Sequence, residues 1–253
     1  MEYSLQRPPF EYWIEVVLNA QVISYISSFV LAGCAILALL IIVPAASASA
    51  QQLKPGWRAW VWPLAFMSFG LSSLFAGFGL SFLPADTSGW VLLRDLLLGL
   101  GLTLIVLNSV YRLLVRRTAP YFAPFIWFGF GCFASSILAF VTDRAVTLSV
   151  FVGVCALILL AVYANIYMLE RERASDAIPV LVAAALTLVS DVTNSLNFKL
   201  DLSFISFNQE FATHLLQIPA IFFFLIAANN GYVVKYALHR RQEREHLLVE
   251  AES

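Results

Sequence analysis

Charge is scarce in this chain. Of its 253 residues only 12 % are Asp, Glu, Lys or Arg, and it holds three histidines and three cysteines. A soluble domain carries about 25 % charged residues, so there is too little polar sequence here to cover a water-exposed surface. With 60 % hydrophobic residues and a mean hydropathy of +0.82, disorder is excluded as well. Cys34, Cys132 and Cys155 are odd in number and sit inside apolar runs, which excludes a disulfide-stapled secreted module. There is no collagen-like glycine period. Nor is there a basic excess: 15 Lys and Arg against 16 Asp and Glu give a net charge of −1, so nucleic acid is not an expected partner. The Gly-x-Gly pairs Gly77/Gly79, Gly99/Gly101 and Gly129/Gly131 are embedded in apolar runs. They lack the strand–turn–helix setting of a phosphate or dinucleotide loop.

What is present is long apolar sequence. Crossing a hydrocarbon core takes about 20 apolar residues as a helix, and seven stretches reach that length: 17–43, 60–82, 91–114, 121–140, 147–168, 177–198 and 207–236. The runs are continuous rather than alternating, so helices are expected and a membrane β-barrel is not. The fold class that follows is all-α, a polytopic bundle of seven transmembrane helices. Residues 1–16 form an N-terminal segment, 17–236 the bundle and 237–253 a charged tail. The small-residue run Ala46–Ala50 resembles a signal-cleavage site, but the apolar stretch before it exceeds the roughly 7–15 residues of a signal core. The first helix is therefore expected to be retained.

Lysine and arginine set the orientation. Eleven fall on one side (Lys54, Arg58, Arg112, Arg116, Arg117, Arg171, Arg173, Lys235, Arg240, Arg241, Arg244) and four on the other (Arg7, Arg94, Arg144, Lys199). This bias predicts an outside N-terminus and a cytoplasmic C-terminus. Reporters fused after Arg117 and Arg244 are then expected to read cytoplasmic, and one after Ser88 external; an external signal at Arg117 would overturn the assignment.

Ionisable side chains inside lipid are costly and mark function by default. On helix three Arg94 and Asp95 lie about one turn in, and on helix six Asp191 lies about two turns from the outer end. On helix seven Glu210, His214 and Gln217 follow i, i+4, i+7 and share one face, with Pro219 just below. Together these groups predict one polar layer in the outer third of the membrane. The layer has two readings: an interhelical hydrogen-bond cluster that fixes packing, or a metal or proton-transfer site. A catalytic zinc takes three protein ligands, so His214 would need Glu210 and Asp95 or Asp191 beside it. Ser73, Asp95 and His214 are the candidate catalytic groups, with Ser73 placed to steady an oxyanion. Asp191, Asn208, Glu210, His214 and Gln217 are the candidate ligand-binding groups. Small residues at i+4 spacing (Ser73, Gly77, Ser81 on helix two; Asp95, Gly99, Thr103 on helix three) predict close packing of these two helices. Arg94 with Asp95, and Asp143 with Arg144, are expected to screen each other.

Seven helices also suit a rhodopsin, but that chemistry needs a lysine in mid-helix seven, and Lys235 lies at its end. No internal repeat of the kind that builds transporters is evident. The segment Phe207-Asn-Gln-Glu-Phe-Ala-Thr-His-Leu-Leu-Gln217 resembles the last-helix signature of a bacterial seven-helix membrane family. That family is in turn similar to the alkaline ceramidase and progestin/adiponectin-receptor (CREST-like) superfamily. The resemblance implies seven spans, and a zinc centre for lipid amide hydrolysis built from helices two, three and seven. Asn208 matches the opening asparagine, His214 the retained histidine, Gln217 the glutamine after it and Asp95 the helix-three aspartate. Gln209 stands where relatives carry a further histidine, and Gly77 or Gly79 where helix two should supply one, so the metal motif is degenerate. The expected function is accordingly packing or binding of a lipid-like ligand rather than catalysis. Two alternatives are a zinc-dependent lipid amide or ester hydrolase, and an accessory subunit packed on other membrane-protein subunits through some of the 21 phenylalanines.

Overall fold

A computed structural model describes residues 20–52, 56–81, 88–113, 119–139, 143–169, 174–196, 199–201 and 206–252. Each of the seven apolar runs is a helix: α1 (Ala20–Gln52), α2 (Val61–Ser81), α3 (Ser88–Leu113), α4 (Ala119–Leu138), α5 (Arg144–Leu169), α6 (Ala174–Ser195) and α7 (Gln209–Glu252). All seven are long and apolar enough to cross a membrane. The protein is an all-α bundle with one small addition, an antiparallel hairpin of β1 (Lys199–Asp201) and β2 (Ser206–Asn208) between α6 and α7.

Helices α3, α5 and α6 each begin three residues before their apolar runs and α7 continues to Glu252, and two of the boundary differences have a local cause. The first helix does not stop at Val43 but runs through Pro44 to Gln52. Proline removes one backbone donor and costs a helix in water. Here the following Ala/Ser run keeps its helical preference, and Ala46 is fully buried against the bundle. The fifth helix begins at Arg144 rather than 147, because the Asp143 carboxylate accepts a hydrogen bond from the Ala145 amide at 2.8 Å and caps the first turn. Asp143 is thereby used as a cap rather than as the screen for Arg144 that its neighbouring position suggested.

The helices are not packed in sequence order. α1 lies on α2, α2 on α3, α3 on α5, α5 on α6, α6 on α7, and α7 returns to α1. Six helices thus close a ring, and α3 and α7 are opposite members of it. α4 stands outside, against α3 and more lightly α5. Its Tyr121, Phe125 and Phe128 are each more than 70 % exposed, the outward face expected of a helix bathed in lipid. Alanines seal the inner seam of α1: Ala32, Ala35, Ala38 and Ala46 are all fully buried, so neighbouring backbones come close. Towards the ring end where α2 begins, Trp62 packs on Phe66 and Phe224, and the Tyr232 hydroxyl donates to the Ala59 carbonyl.

The small residues of α2 and α3 do more than join these two helices. Gly77 faces the ring of Phe29 on α1, Gly99 that of Phe133 on α4, and Gly101 that of Phe69 on α2. Each glycine accepts a phenylalanine edge. The α2–α3 seam also carries a polar tie, Ser72 Oγ donating to the Arg94 carbonyl at 2.8 Å.

Candidate functional site

The polar groups gather at the end of the ring where α1, α3, α5 and α7 begin. On α7 the first two turns carry Glu210 and His214, and α1 answers them with serines at i, i+3 and i+4. Ser24 Oγ donates to Glu210 Oε2 at 2.6 Å, and Ser27 Oγ lies 2.7 Å from His214 Nδ1. Ser27 Oγ is also 2.8 Å from the Ser24 carbonyl. A hydroxyl has one proton, so two arrangements fit. Either Ser27 donates to the carbonyl and accepts from His214 Nδ1–H, or it donates to Nδ1 and the imidazole carries its proton on Nε2. In both, Nε2 makes no hydrogen bond among the described residues. Ser24 and Ser28 are fully buried. These serines were missed by the sequence reading, although their spacing in an apolar run is the same one-sided pattern that exposed the α7 stripe.

Opposite them, α3 presents a buried carboxylate between two guanidinium groups. Arg94 directs Nε and Nη2 at Asp95 Oδ1, both at 2.7 Å, and Arg144 of α5 reaches Asp95 Oδ2 at 3.3 Å. The Asp95 side chain is 1 % exposed, those of Arg94 and Arg144 31 % and 30 %. Both oxygens of Asp95 are therefore engaged by arginine. The Arg94–Asp95 pair was expected from adjacency. Arg144 was not, because nothing local to the sequence brings α5 onto α3. On α5 and α6, Ser149 Oγ donates to Asp191 Oδ2 at 2.8 Å.

Between these walls the ring encloses space. A cavity of about 200 Å³ is lined from all six ring helices, and nine of its thirteen lining residues are polar or charged, among them Ser72, Ser73, Arg94, Glu210, His214 and Gln217. A second cavity of about 100 Å³ shares Leu31, Ser73, Leu98, Leu148, Asn194, Thr213 and Gln217 with it. Its own further lining includes Phe69, Leu102, Val152, Ile221 and Phe224, and nine of its sixteen residues are apolar. The two are one lumen, polar in one lobe and mainly apolar in the other, with Ser73 at the junction. Ser73, Asn194 and Gln217 make no hydrogen bond among the described residues, so their polar atoms stay available to whatever fills the lumen.

The sequence candidates thus separate. Ser73, Glu210, His214 and Gln217 line one polar lobe, Asp191 lines the second, and Asp95 lies behind Arg94. The Asn208 side chain lies outside the described residues. For zinc the donor set falls short: among the described residues no three of His, Cys, Asp and Glu converge, and Asp95 is bound to arginine. Glu210 and His214 alone do not make the three-ligand centre a catalytic zinc requires.

Comparison with known proteins places the chain in one family. Residues 23–232 match a family of unknown function, DUF6962, and the chain belongs to it. No curated protein and no solved structure matches.

Proposed function

We propose that this member of the family binds an amphiphilic, lipid-like molecule in the lumen of its six-helix ring. One observation carries the reading: the lumen grades from a polar lobe around Arg94, Glu210, His214 and Gln217 to a mainly apolar lobe floored by Phe69, Ile221 and Phe224, with Asp191 at its edge. That gradient matches a molecule with a polar head and an apolar body. Volume decides how much of it enters. Pockets that enclose a whole small molecule run to about 300–1,000 Å³, so lobes of about 200 and 100 Å³ hold a head and the start of a chain. The remainder of the chain lies between helices towards the bilayer. Ser73 and Gln217 line the polar lobe and make no hydrogen bond among the described residues, so their polar atoms face the lumen rather than a partner helix.

The test is a titration of delipidated protein in detergent with a single-chain phospholipid, followed by native mass spectrometry. One saturable adduct per chain is the expected result. A ladder of adducts without a first saturable step would refute a defined site.

Hydrolysis of a lipid amide or ester at the same lumen is the less supported reading. Ser73 and His214 line one lobe, yet no third metal donor accompanies Glu210 and His214 among the described residues. The likeness to ceramidases rests on the eleven residues from Phe207 to Gln217.

A further inference from the structure

We infer that the molecule bound in the lumen carries a zwitterionic head, with an anionic group held at Arg94 and a primary ammonium held at Glu210. The inference rests on the amphiphile-binding reading and adds the head's chemistry to it. Two charge centres, on opposite helices of the ring, line the polar lobe. On α3, one carboxylate lies between two guanidinium groups, at 2.7 Å from Arg94 and 3.3 Å from Arg144, which leaves a net charge of about one positive there. Arg94 has five N–H donors and directs two of its nitrogens at Asp95; about three donors remain for the polar lobe that it lines. On α7, the opposite member of the ring, Glu210 spends Oε2 on Ser24 and lines the same lobe. No cation pairs with Glu210 among the described residues.

Among the described residues no ion pair joins these two centres, although both line the same lobe. Water in the lumen would satisfy hydrogen bonds but would leave opposite charges apart in a bundle surrounded by lipid, where unpaired charge is costly. A purely anionic head would pair with Arg94 and meet the Glu210 carboxylate with the same sign. A purely cationic head would do the reverse. A head with both charges, such as a phosphoethanolamine, matches both walls at once. Its phosphate accepts the spare Arg94 donors, the ammonium donates to Glu210 Oε1, and the glycerol end points to the lobe of Leu98, Leu102 and Phe224. Charge-assisted hydrogen bonds of this kind are the strong ones.

The experiment compares palmitoyl lysophosphatidylethanolamine, palmitoyl lysophosphatidylglycerol and chain-free glycerophosphoethanolamine on the purified full chain, by native mass spectrometry with competition. The ethanolamine lysolipid is expected to bind about tenfold more tightly than the glycerol one, the effect of one added charged contact. Glu210→Gln keeps an acceptor for Ser24 but removes the charge, and should reduce that preference to about twofold or less. Arg94→Gln should weaken both lysolipids together. The chain-free head should bind more weakly than its lysolipid; equal binding would assign the site to a soluble amine phosphate and overturn the lipid reading. Equal affinity of wild type for the two lysolipids, or a preference that survives Glu210→Gln, overturns the zwitterion inference and leaves amphiphile binding standing. No saturable binding of either lysolipid overturns both.

Discussion

Replacing Asp95 with alanine is expected to destabilise the protein by about 3 kcal/mol, the lower end of what removing one partner of a buried ion pair costs. Asp95 is 1 % exposed and its two oxygens bind Arg94 and Arg144. Its loss leaves two guanidinium groups at the α3–α5 seam with no counter-charge from α3. The arginine side chains are about one-third exposed, so partial solvation lowers the penalty. For a chain of this size a loss of that order lowers Tm by about 6–12 °C. A thermal scan in detergent reads it directly. Asp95→Asn combined with Arg144→Gln should recover part of the loss, since one unpaired arginine remains instead of two. A Tm for Asp95→Ala within about 2 °C of wild type would show that the three charges do not hold α3 to α5.

The seven helices were legible because each is a continuous apolar run with no alternative structure available in lipid. The apolar run ends at Val43, yet α1 continues to Gln52 because Ala46 is buried along its seam and the Ala/Ser run favours helix. On α7 the i, i+4, i+7 spacing puts Glu210, His214 and Gln217 on one face, and all three line one lobe of the lumen. Its other wall stayed hidden for two reasons. Serine in an apolar helix reads as a small packing residue, so the one-sided spacing of Ser24, Ser27 and Ser28 marks a face without naming Glu210 and His214 as its partners. The contact of Arg144 with Asp95 depends on α5 lying against α3 with α4 displaced to the outside, and sequence neighbours pointed to Asp143 instead. Spacing along one helix reports a face; which faces meet is set by the order of helices around the ring.

Ser73→Phe should abolish binding while leaving the fold in place. Ser73 lines both lobes, is 9 % exposed and makes no hydrogen bond among the described residues, so its removal leaves no partner unsatisfied. A phenyl ring there enters space and stands where the polar lobe meets the apolar one. Enlarging a packed position costs about 1–3 kcal/mol because neighbours must move. Gly101 is such a position, since a Cβ added to it would lie 2.5 Å from the Phe69 ring. At Ser73 the added ring finds a cavity, and the stability change is expected to stay below about 1 kcal/mol. Affinity for a lysolipid should fall at least about tenfold, measured against wild type in the same titration. A variant that binds as wild type does would place the amphiphile elsewhere than the lumen.

Protein released gently from its own membrane distinguishes a lumen that holds an amphiphile from one that only packs helices. The native mass spectrum should show the chain together with one additional molecule of lipid mass, retained through delipidating washes and missing from Ser73→Phe prepared in parallel. A wild-type spectrum at the mass of the bare chain, unchanged when phospholipid is added back, would mean that the lumen holds no amphiphile.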